Sequence, residues 1–276
     1  MSFLIAHRGH SAKAPENTVA AFRAAADAGF QWIETDADML ADGTIVLIHD
    51  SSFKRTGKVA ARVSASQIED LAEIDVGRWF SQSFADTRVP TLRDLVDLMN
   101  STGLNVNLEL KLTDPNPERI GTYIHAVTRE LERVEPRGDK PRVIVSSFNH
   151  PLLATLHLAV PRLRLACLFE RSRFTLTSRH SGWREIAHST GATYVHPHHR
   201  ELNERIVEWI HSEGLEINTW TVNNPGRAAE LAGWGVDGIC TDGPKGLTPN
   251  DAPAALRHTP ATRPETHQSG SAKTHP

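Results

Sequence analysis

The chain has few of the features that mark secreted, membrane-spanning or nucleic-acid-binding proteins. Only two cysteines occur in 276 residues, and Cys167 and Cys240 both stand in apolar, strand-like stretches, which favours buried free thiols over a disulfide framework. There is no long basic run, and the formal net charge is −3, so nothing indicates a nucleic-acid partner. The first apolar run covers residues 3–6, which is too short for a signal peptide or a membrane span. We therefore expect a cytoplasmic protein that binds a small molecule and makes no stable membrane association.

Short apolar or β-branched runs alternate with longer helical patterns, which is typical of parallel βαβ units. The third run, GTIVLIHD, either extends the second strand or adds a strand, and both readings leave eight strand positions for the sheet. Eight strands in a chain of 276 residues favour an α/β protein with one closed (β/α)8 TIM barrel over a doubly wound open sheet. The predicted strands are FLIAH, QWIETD, GTIVLIHD, NVNLELK, RVIVSSF, RLACLFE, ATYVHP, LEINTWTV and VDGICTD.

Two stretches depart from this alternation. Residues 51–89 are too long for an ordinary loop between a strand and a helix, so we expect a small insertion subdomain over the barrel mouth, after the second strand region. The alternative is a passive segment that only covers apolar surface. Residues 251–276 are rich in Pro, Thr, Ala, Ser and His, and they are predicted to form a disordered tail beyond a barrel domain of residues 1–250. Helices are predicted over residues 17–29, 91–102, 117–134, 151–160, 183–190, 203–214 and 225–235.

Three carboxylates are predicted to meet at the barrel mouth. Glu34 and Asp36 are two residues apart at the end of a strand, so their side chains project from the same face. Glu109 in NLELK repeats this arrangement one strand along. Any one of them alone is typical of a salt-bridged or solvated residue. Three oxygen ligands with no cysteine nearby suit a hard divalent cation such as Mg²⁺ or Ca²⁺, with positions left for water and phosphate oxygens.

Two histidines and two cations are predicted to share this mouth. His7 and His49 each end a predicted strand, and as a pair they suit a general base and a general acid, because imidazole exchanges a proton near neutral pH. Arg8 and Lys111 are predicted to hold phosphoryl oxygens. The alternative for both cations is ion pairing with the three carboxylates.

Two tryptophans are candidates for the walls of a substrate pocket. Trp220 follows a predicted strand, where its indole can pack on a small polyol. Trp79, together with Phe80, is predicted to form the opposite wall. The alternative for each is ordinary core packing.

Two polar motifs receive a structural interpretation. Glu16 and Asn17 in PENT are predicted to cap the first helix. The run at residues 196–199, HPHH, lacks the partner spacing of a zinc site and is predicted to be a loop. At most His196 or His199 is expected to contact the substrate.

The ordered set of motifs resembles the glycerophosphodiester phosphodiesterase family, in its bacterial cytoplasmic form. The similar segments cover most of residues 3–245 and are HRGHSAKAPENTVAAFRAA, IETDADMLADGTIVLIHDSSFKRTG, VGRWF, NLELK, SSF and NTWTVNNPGRAAELAGWGVDGICTDGP. The family carries an insertion at the position of residues 51–89. No functional position is replaced in this chain. Glu34, Asp36 and Glu109 match the family's metal ligands. His7 and His49 match its acid/base histidines, and Arg8 and Lys111 match its phosphate contacts.

The resemblance implies metal-dependent hydrolysis of glycerophosphodiesters, such as deacylated phospholipid head groups, to glycerol 3-phosphate and an alcohol. This places the chain in lipid and glycerol metabolism. It leaves open whether water attacks directly or the glycerol 2-hydroxyl first forms a cyclic phosphate. One alternative is a lysophospholipid- or inositol-phospholipid-cleaving enzyme of the same barrel family, and three metal carboxylates argue against its metal-free mechanism. The other is a non-catalytic glycerophosphodiester-binding protein, against which the intact histidines argue.

Overall fold

The computed structural model describes residues 2–114, 116–138, 141–171, 179–252 and 256. Within these ranges, short strands alternate with helices from the start of the chain to its last strand. The strands are β1 (Phe3–Ala6), β2 (Trp32–Met39), β3 (Ile45–Leu47), β4 (Asn105–Leu110), β5 (Val143–Ser147), β6 (Arg164–Phe169), β7 (Tyr194–Pro197), β8 (Glu216–Thr219) and β9 (Gly238–Thr241). The helices are α1 (Val19–Asp27), α2 (Lys54–Gly57), α3 (Leu92–Thr102), α4 (Pro117–Leu131), α5 (His150–Ala159), α6 (Arg179–Thr190), α7 (Glu204–Ser212) and α8 (Pro225–Gly233).

Eight of these strands close into a parallel barrel. The order β1-β9-β8-β7-β6-β5-β4-β2 returns to β1 through the β1–β2 pairing, and every barrel pair is parallel. The predicted (β/α)8 TIM barrel is therefore confirmed. The third predicted run is an added strand, because β3 pairs antiparallel with β2 outside the barrel.

Alternation along β2 and β4 decides which side chains enter the barrel. On β2, Ile33 and Ala37 belong to the large core between the strands and the helices, so Glu34 and Asp36 project to the barrel interior. On β4 the same alternation places Glu109 inside. Below these acids the interior is filled by a separate cluster made of Phe3, Ile5, Trp32, Ile144, Ala166, Tyr194 and Cys240.

The segment between β3 and α3 has a core of its own. It contains α2 and three short 3-10 turns over residues 63–65, 68–73 and 82–84. Its apolar side chains, among them Phe53 and Leu71, pack against residues of β3 and the start of its loop. The segment therefore rests on the added strand at the edge of the barrel mouth.

The predicted start of the tail needs correction. Asp251 accepts hydrogen bonds from the backbone N–H groups of Gly246 and Thr248, and Ala252 and Leu256 are buried in the main core. The apolar surface of these two residues holds the chain on the barrel beyond residue 250. The rest of the predicted tail, residues 253–255 and 257–276, lies outside the described residues.

A search of the described residues for a helix both long and apolar enough to cross a bilayer finds none.

Candidate active site

The three predicted carboxylates meet at the barrel mouth. Asp36 and Glu109 are register partners on β2 and β4, and Glu34 lies one interior position below Asp36. One oxygen from each carboxylate lies within 4.8 Å of the others, and the three residues are 5%, 1% and 8% exposed. Burial and the charge of Asp36 raise the pKa of Glu34 to about 7 and that of Glu109 to about 8. The mouth thus concentrates negative charge on oxygen atoms alone, which is the donor set that fits a hard divalent cation.

Two cations share this cluster. The Lys111 Nζ lies 3.1 Å from Asp36 Oδ1 and also donates to Glu109 Oε1, and the Arg8 Nε lies 3.3 Å from Asp36 Oδ2. Burial would raise the pKa of Asp36, but the charges of Lys111 and Arg8 hold it at about 2. Arg8 and Lys111 therefore do pair with the carboxylates, and both also line the cavity described below. The ion pairs of Arg8 and Lys111 therefore lie at the barrel mouth, which is also where the two side chains are predicted to contact phosphate.

His7 lies directly after β1 and is held by a carboxylate. Its Nδ1 is 2.7 Å from Asp242 Oδ1, and its Nε2 is 3.9 Å from Glu34 Oε2. Burial alone would lower the pKa of His7, but the hydrogen bond to Asp242 and the charge of Glu34 outweigh it and raise the pKa above its ordinary value. Because Asp242 occupies Nδ1, Nε2 is the nitrogen left for proton transfer.

His49 reaches the mouth because β3 runs antiparallel to β2. The turn back along β2 brings the Ile48 N–H within 3.0 Å of the Asp36 carbonyl oxygen, so the next residue stands beside the triad. The Nδ1 of His49 is 2.8 Å from Asp50 Oδ1. Burial and the positive charge of Arg8 lower the pKa of His49, although Asp36 and Asp50 act against them. His49 thus has the same carboxylate-bound arrangement as His7.

Among the charged groups lies a cavity of about 120 Å³. Part of its lining is polar: Asn218 Nδ2 lies 3.0 Å from His196 Nε2, and the Oδ1 atoms of Asn107 and Asn218 have no hydrogen-bond partner among the described residues. Trp220 forms one wall, in edge-to-face contact with Phe148 at 5.6 Å. Its lining residues are Ile5, His7, Arg8, Glu34, His49, Asn107, Glu109, Lys111, Phe148, Leu168, His196, Asn218, Thr219, Trp220, Thr221 and Cys240.

The structure does not bring Trp79 to this cavity. Its indole N–H donates to the Val76 carbonyl oxygen at 2.8 Å, and its ring packs edge-on against Phe80 at 5.8 Å. These local contacts hold the aromatic cluster within the segment that follows β3, and Trp79 is absent from the cavity's described lining. The structure therefore does not place Trp79 in a wall opposite Trp220.

The histidine run also differs from its prediction in part. His196 lies inside β7, is buried, and lines the cavity. It is one of the two histidines that were expected to contact the substrate. His199 is in the turn after β7, where its ring stacks on His198 at 4.7 Å. Strand β7 thus ends at Pro197, where the predicted strand ATYVHP also ends, and only residues 198–199 of the run lie beyond it.

The capping prediction for PENT is wrong, and the correction adds a residue to the site. Thr18 caps α1 by accepting a hydrogen bond from the Ala21 N–H. Asn17 instead adopts a left-handed backbone conformation with φ +55, which Asn tolerates better than most residues. Its Nδ2 donates to Asp36 Oδ2 at 2.8 Å, and its Oδ1 accepts from Thr35 Oγ1 at 2.7 Å. Asn17 therefore orients a carboxylate of the triad.

Sequence reasoning also missed the acidic partners around the site. Asp242 and Asp50 hold the two histidines, and Glu16 accepts hydrogen bonds from Arg8 and Arg55. The adjacency of His49 and Asp50 in the chain was a usable signal for one pair. Nothing local pointed to the pairing of Glu16 with Arg55, because 39 residues separate them.

Comparisons with known proteins agree with this geometry. The model of the "Glycerophosphoryl diester phosphodiesterase family" matches residues 7–245. A glycerophosphodiester phosphodiesterase from Caldanaerobacter subterraneus subsp. tengcongensis is 31% identical over 246 residues, which are 89% of this chain and 96% of that protein. A glycerophosphodiester phosphodiesterase from Bacillus subtilis is 28% identical over 249 residues, 87% of this chain and 83% of that one. A phosphodiesterase from Oleispira antarctica, solved in complex with the product sn-glycerol-3-phosphate, superposes with a TM-score of 0.79 at 27% identity and covers 88% of this chain and 93% of that one.

Proposed function

This chain belongs to the glycerophosphoryl diester phosphodiesterase family, and on that basis we propose how its barrel mouth performs the reaction. It is a phosphodiesterase that hydrolyses glycerophosphodiesters to glycerol 3-phosphate and an alcohol. One observation supports the mechanism most strongly. Three carboxylates, two carboxylate-bound histidines and two cations converge at the C-terminal ends of the barrel strands, where active sites of this fold lie, and all of them except Asp36 line one cavity.

We propose that Glu34, Asp36 and Glu109 hold a divalent cation, either Mg²⁺ or Ca²⁺. When bound, the cation supplies Lewis-acid polarisation of the phosphoryl oxygens. Arg8 and Lys111 add positive charge next to the same oxygens, Arg8 through its planar guanidinium and Lys111 as a point charge. Their present pairing with Asp36 keeps both side chains at the mouth before the substrate arrives.

We propose that His7 and His49 move the protons. One Nε2 accepts the proton of the attacking hydroxyl as the new P–O bond forms, and the other donates a proton to the alcohol oxygen as the old P–O bond breaks. Asp242 and Asp50 hold the two Nδ1 atoms, so each ring keeps a fixed orientation and tautomer. The same groups serve direct attack by water and initial attack by the glycerol 2-hydroxyl.

The cavity supports a position for the glycerol part of the substrate. Trp220 offers an apolar face, and the side-chain amides of Asn107 and Asn218, whose Oδ1 atoms have no hydrogen-bond partner among the described residues, line the same cavity and can bind hydroxyl groups. We propose that the phosphoryl group binds at the mouth, with the glycerol moiety directed toward Trp220.

Two wider assignments follow as proposals. We propose that residues 51–89 form a small insertion subdomain, because they have their own apolar cluster on β3. We also propose a cytoplasmic role in lipid and glycerol metabolism, on deacylated phospholipid head groups. Cys167 and Cys240 are both free and buried, which suits a reducing compartment.

A substrate panel tests the function. We expect release of glycerol 3-phosphate from glycerophosphoethanolamine and glycerophosphocholine, measured by a coupled glycerol 3-phosphate assay in the presence of Mg²⁺ or Ca²⁺. Lysophosphatidylcholine and phosphatidylinositol vesicles form the second arm. Preferred turnover of those lipids would favour the lipid-cleaving alternative. Saturable binding of glycerophosphodiesters without any product would favour a binding protein.

Trp220→Ala should weaken substrate use, because the indole covers one wall of the cavity. We expect kcat/KM for glycerophosphodiesters to fall by the equivalent of ~1 to 3 kcal/mol, mainly through KM, since an aromatic wall acts by buried area. Trp79→Ala is the matched control: it removes an indole of the neighbouring segment and should leave the kinetics unchanged. Normal kinetics in Trp220→Ala, with a loss in Trp79→Ala, would reverse this assignment.

A further inference from the structure

Arg55 links two acidic side chains that belong to different parts of the chain. It lies on α2, inside the segment that follows β3. Its Nε donates to Asp50 Oδ2 at 2.7 Å, while its Nη1 and Nη2 donate to the two oxygens of Glu16, each at 2.7 Å. All three nitrogens of the guanidinium thus donate to these two carboxylates.

Each of these carboxylates in turn holds a residue of the proposed machinery. Asp50 binds Nδ1 of His49 through its other oxygen at 2.8 Å. Glu16 Oε1 accepts from Nη1 of Arg8, also at 2.8 Å. The result is one connected series, His49–Asp50–Arg55–Glu16–Arg8, in which Arg55 is the central member.

The burial of Glu16 makes its link to Arg55 stronger than an ordinary surface ion pair. Arg55 is 42% exposed in its side chain, but Glu16 is only 13% exposed. Burial alone would raise the pKa of Glu16, and the hydrogen bonds from Arg55 together with the charge of Arg8 bring it below its ordinary value. Removing the Arg55 guanidinium would leave two neighbouring carboxylates without their common partner, so each would be free to turn away from the side chain it holds.

We propose that Arg55 is a positioning residue that sets the His49 ring and the Arg8 guanidinium together by clamping Asp50 and Glu16. The inference rests on the proposed function, in which His49 transfers a proton and Arg8 contacts the phosphoryl group. Arg55 itself is not among the residues of the cavity lining given above. It gives residues 51–89 a role in catalysis that a passive cover would lack.

The charge and the forked shape of Arg55 can be tested separately. Arg55→Ala should lower kcat for glycerophosphoethanolamine by roughly 10- to 100-fold, the range typical when a residue that orients a functional side chain is lost. Arg55→Lys should recover only part of this, because an ammonium cannot bridge both carboxylates. Lys54→Ala, on the same helix and exposed, is the control and should keep the wild-type kcat.

A double-mutant cycle separates positioning from general stability. If Arg55 acts through His49, then His49→Ala and Arg55→Ala should be non-additive in kcat, whereas His7→Ala and Arg55→Ala should be additive. Inhibition by glycerol 3-phosphate reports the effect on Arg8, because Arg8 is proposed to contact the phosphoryl group. Arg55→Ala should therefore raise the inhibition constant of glycerol 3-phosphate. Wild-type kcat in folded Arg55→Ala, or full additivity with His49→Ala, would overturn the proposal.

A second pair of variants covers the case in which Arg55→Ala does not fold. Asp50→Asn removes the carboxylate that binds His49, and it should lower kcat. Glu16→Gln removes the carboxylate that binds Arg8, and it should raise the inhibition constant of glycerol 3-phosphate. Unchanged values for both would also overturn the proposal. Failure of the proposed function has a different signature, because wild-type enzyme would then release no glycerol 3-phosphate at all.

Discussion

Glu109→Gln should lower kcat for glycerol 3-phosphate release by roughly 10³-fold or more while the barrel stays folded. The change replaces one of the three carboxylate ligands by a neutral amide, which weakens cation binding and with it the electrostatic stabilisation that a bound cation gives to the phosphoryl group. The fold should tolerate it, because Gln keeps the size and shape of Glu and position 109 lies in the cavity lining at the barrel mouth. Glu34→Gln should behave similarly. Kinetics, calorimetric titration with Mg²⁺ or Ca²⁺, and thermal unfolding are the measurements.

The pH dependence of stability gives the same prediction a second readout. The pKa values of Glu34 and Glu109 are raised from 4.5 to about 7 and about 8, so the folded state holds protons that the unfolded chain releases near pH 4.5. Their contribution to the free energy of unfolding is complete below pH 4.5 and is lost as the pH rises through 7 and 8. The metal-free protein should therefore lose stability over this window, and the rise in Tm on adding cation should grow with pH. Glu109→Gln should flatten both trends.

Glu130→Gln is the matched control. Glu130 is also buried, but it lies on α4 and is paired with Arg93, Arg129 and Arg133. Its replacement should cost stability and leave kcat and cation binding intact. Cation binding that survives in both Glu34→Gln and Glu109→Gln would contradict the assignment of the triad as the metal site.

His7→Ala and His49→Ala should each lower kcat by about 10² to 10⁴, with far smaller effects on KM. General acid and base groups act mainly in the transition state, so their loss appears in kcat. A nitrophenolate leaving group needs no proton, and it should partly rescue the variant that lacks the acid. Steady-state kinetics on glycerophosphoethanolamine and on a nitrophenyl phosphodiester measure both effects.

His211→Ala offers a control of the same chemistry. His211 also binds an aspartate, with Nε2 2.9 Å from Asp237 Oδ2, but it lies on α7 and does not belong to the cavity lining. Its loss should lower the unfolding temperature without lowering kcat. Near wild-type rates in both His7→Ala and His49→Ala would exclude the two histidines as the proton-transfer pair.

The barrel and the positions of the main site residues could be predicted from the sequence because both follow from local rules. Alternation at a period of two residues puts Glu34 and Asp36 on one face of one strand, and parallel strands bring their C-terminal ends to the same edge. His7 and Lys111 follow their strands directly. No long-range information was needed to expect these side chains at one mouth.

The errors arose where distant contacts decide the outcome. Asn17 has the sequence of a helix cap, but its amide is drawn to Thr35 and Asp36 on β2. Leu256 stands in a polar, tail-like stretch and nevertheless packs in the main core. Each depends on a partner that a local pattern does not specify.

Removal and return of the cation test the central claim most directly. The enzyme is treated with chelator, freed of metal, and assayed for glycerol 3-phosphate release from glycerophosphoethanolamine before and after addition of Mg²⁺ or Ca²⁺. The account predicts that activity is lost without the cation and recovered with it in the wild type, and that Glu109→Gln stays at least about 10³-fold below the wild type after the cation is added. Full activity in a verified metal-free sample would contradict it.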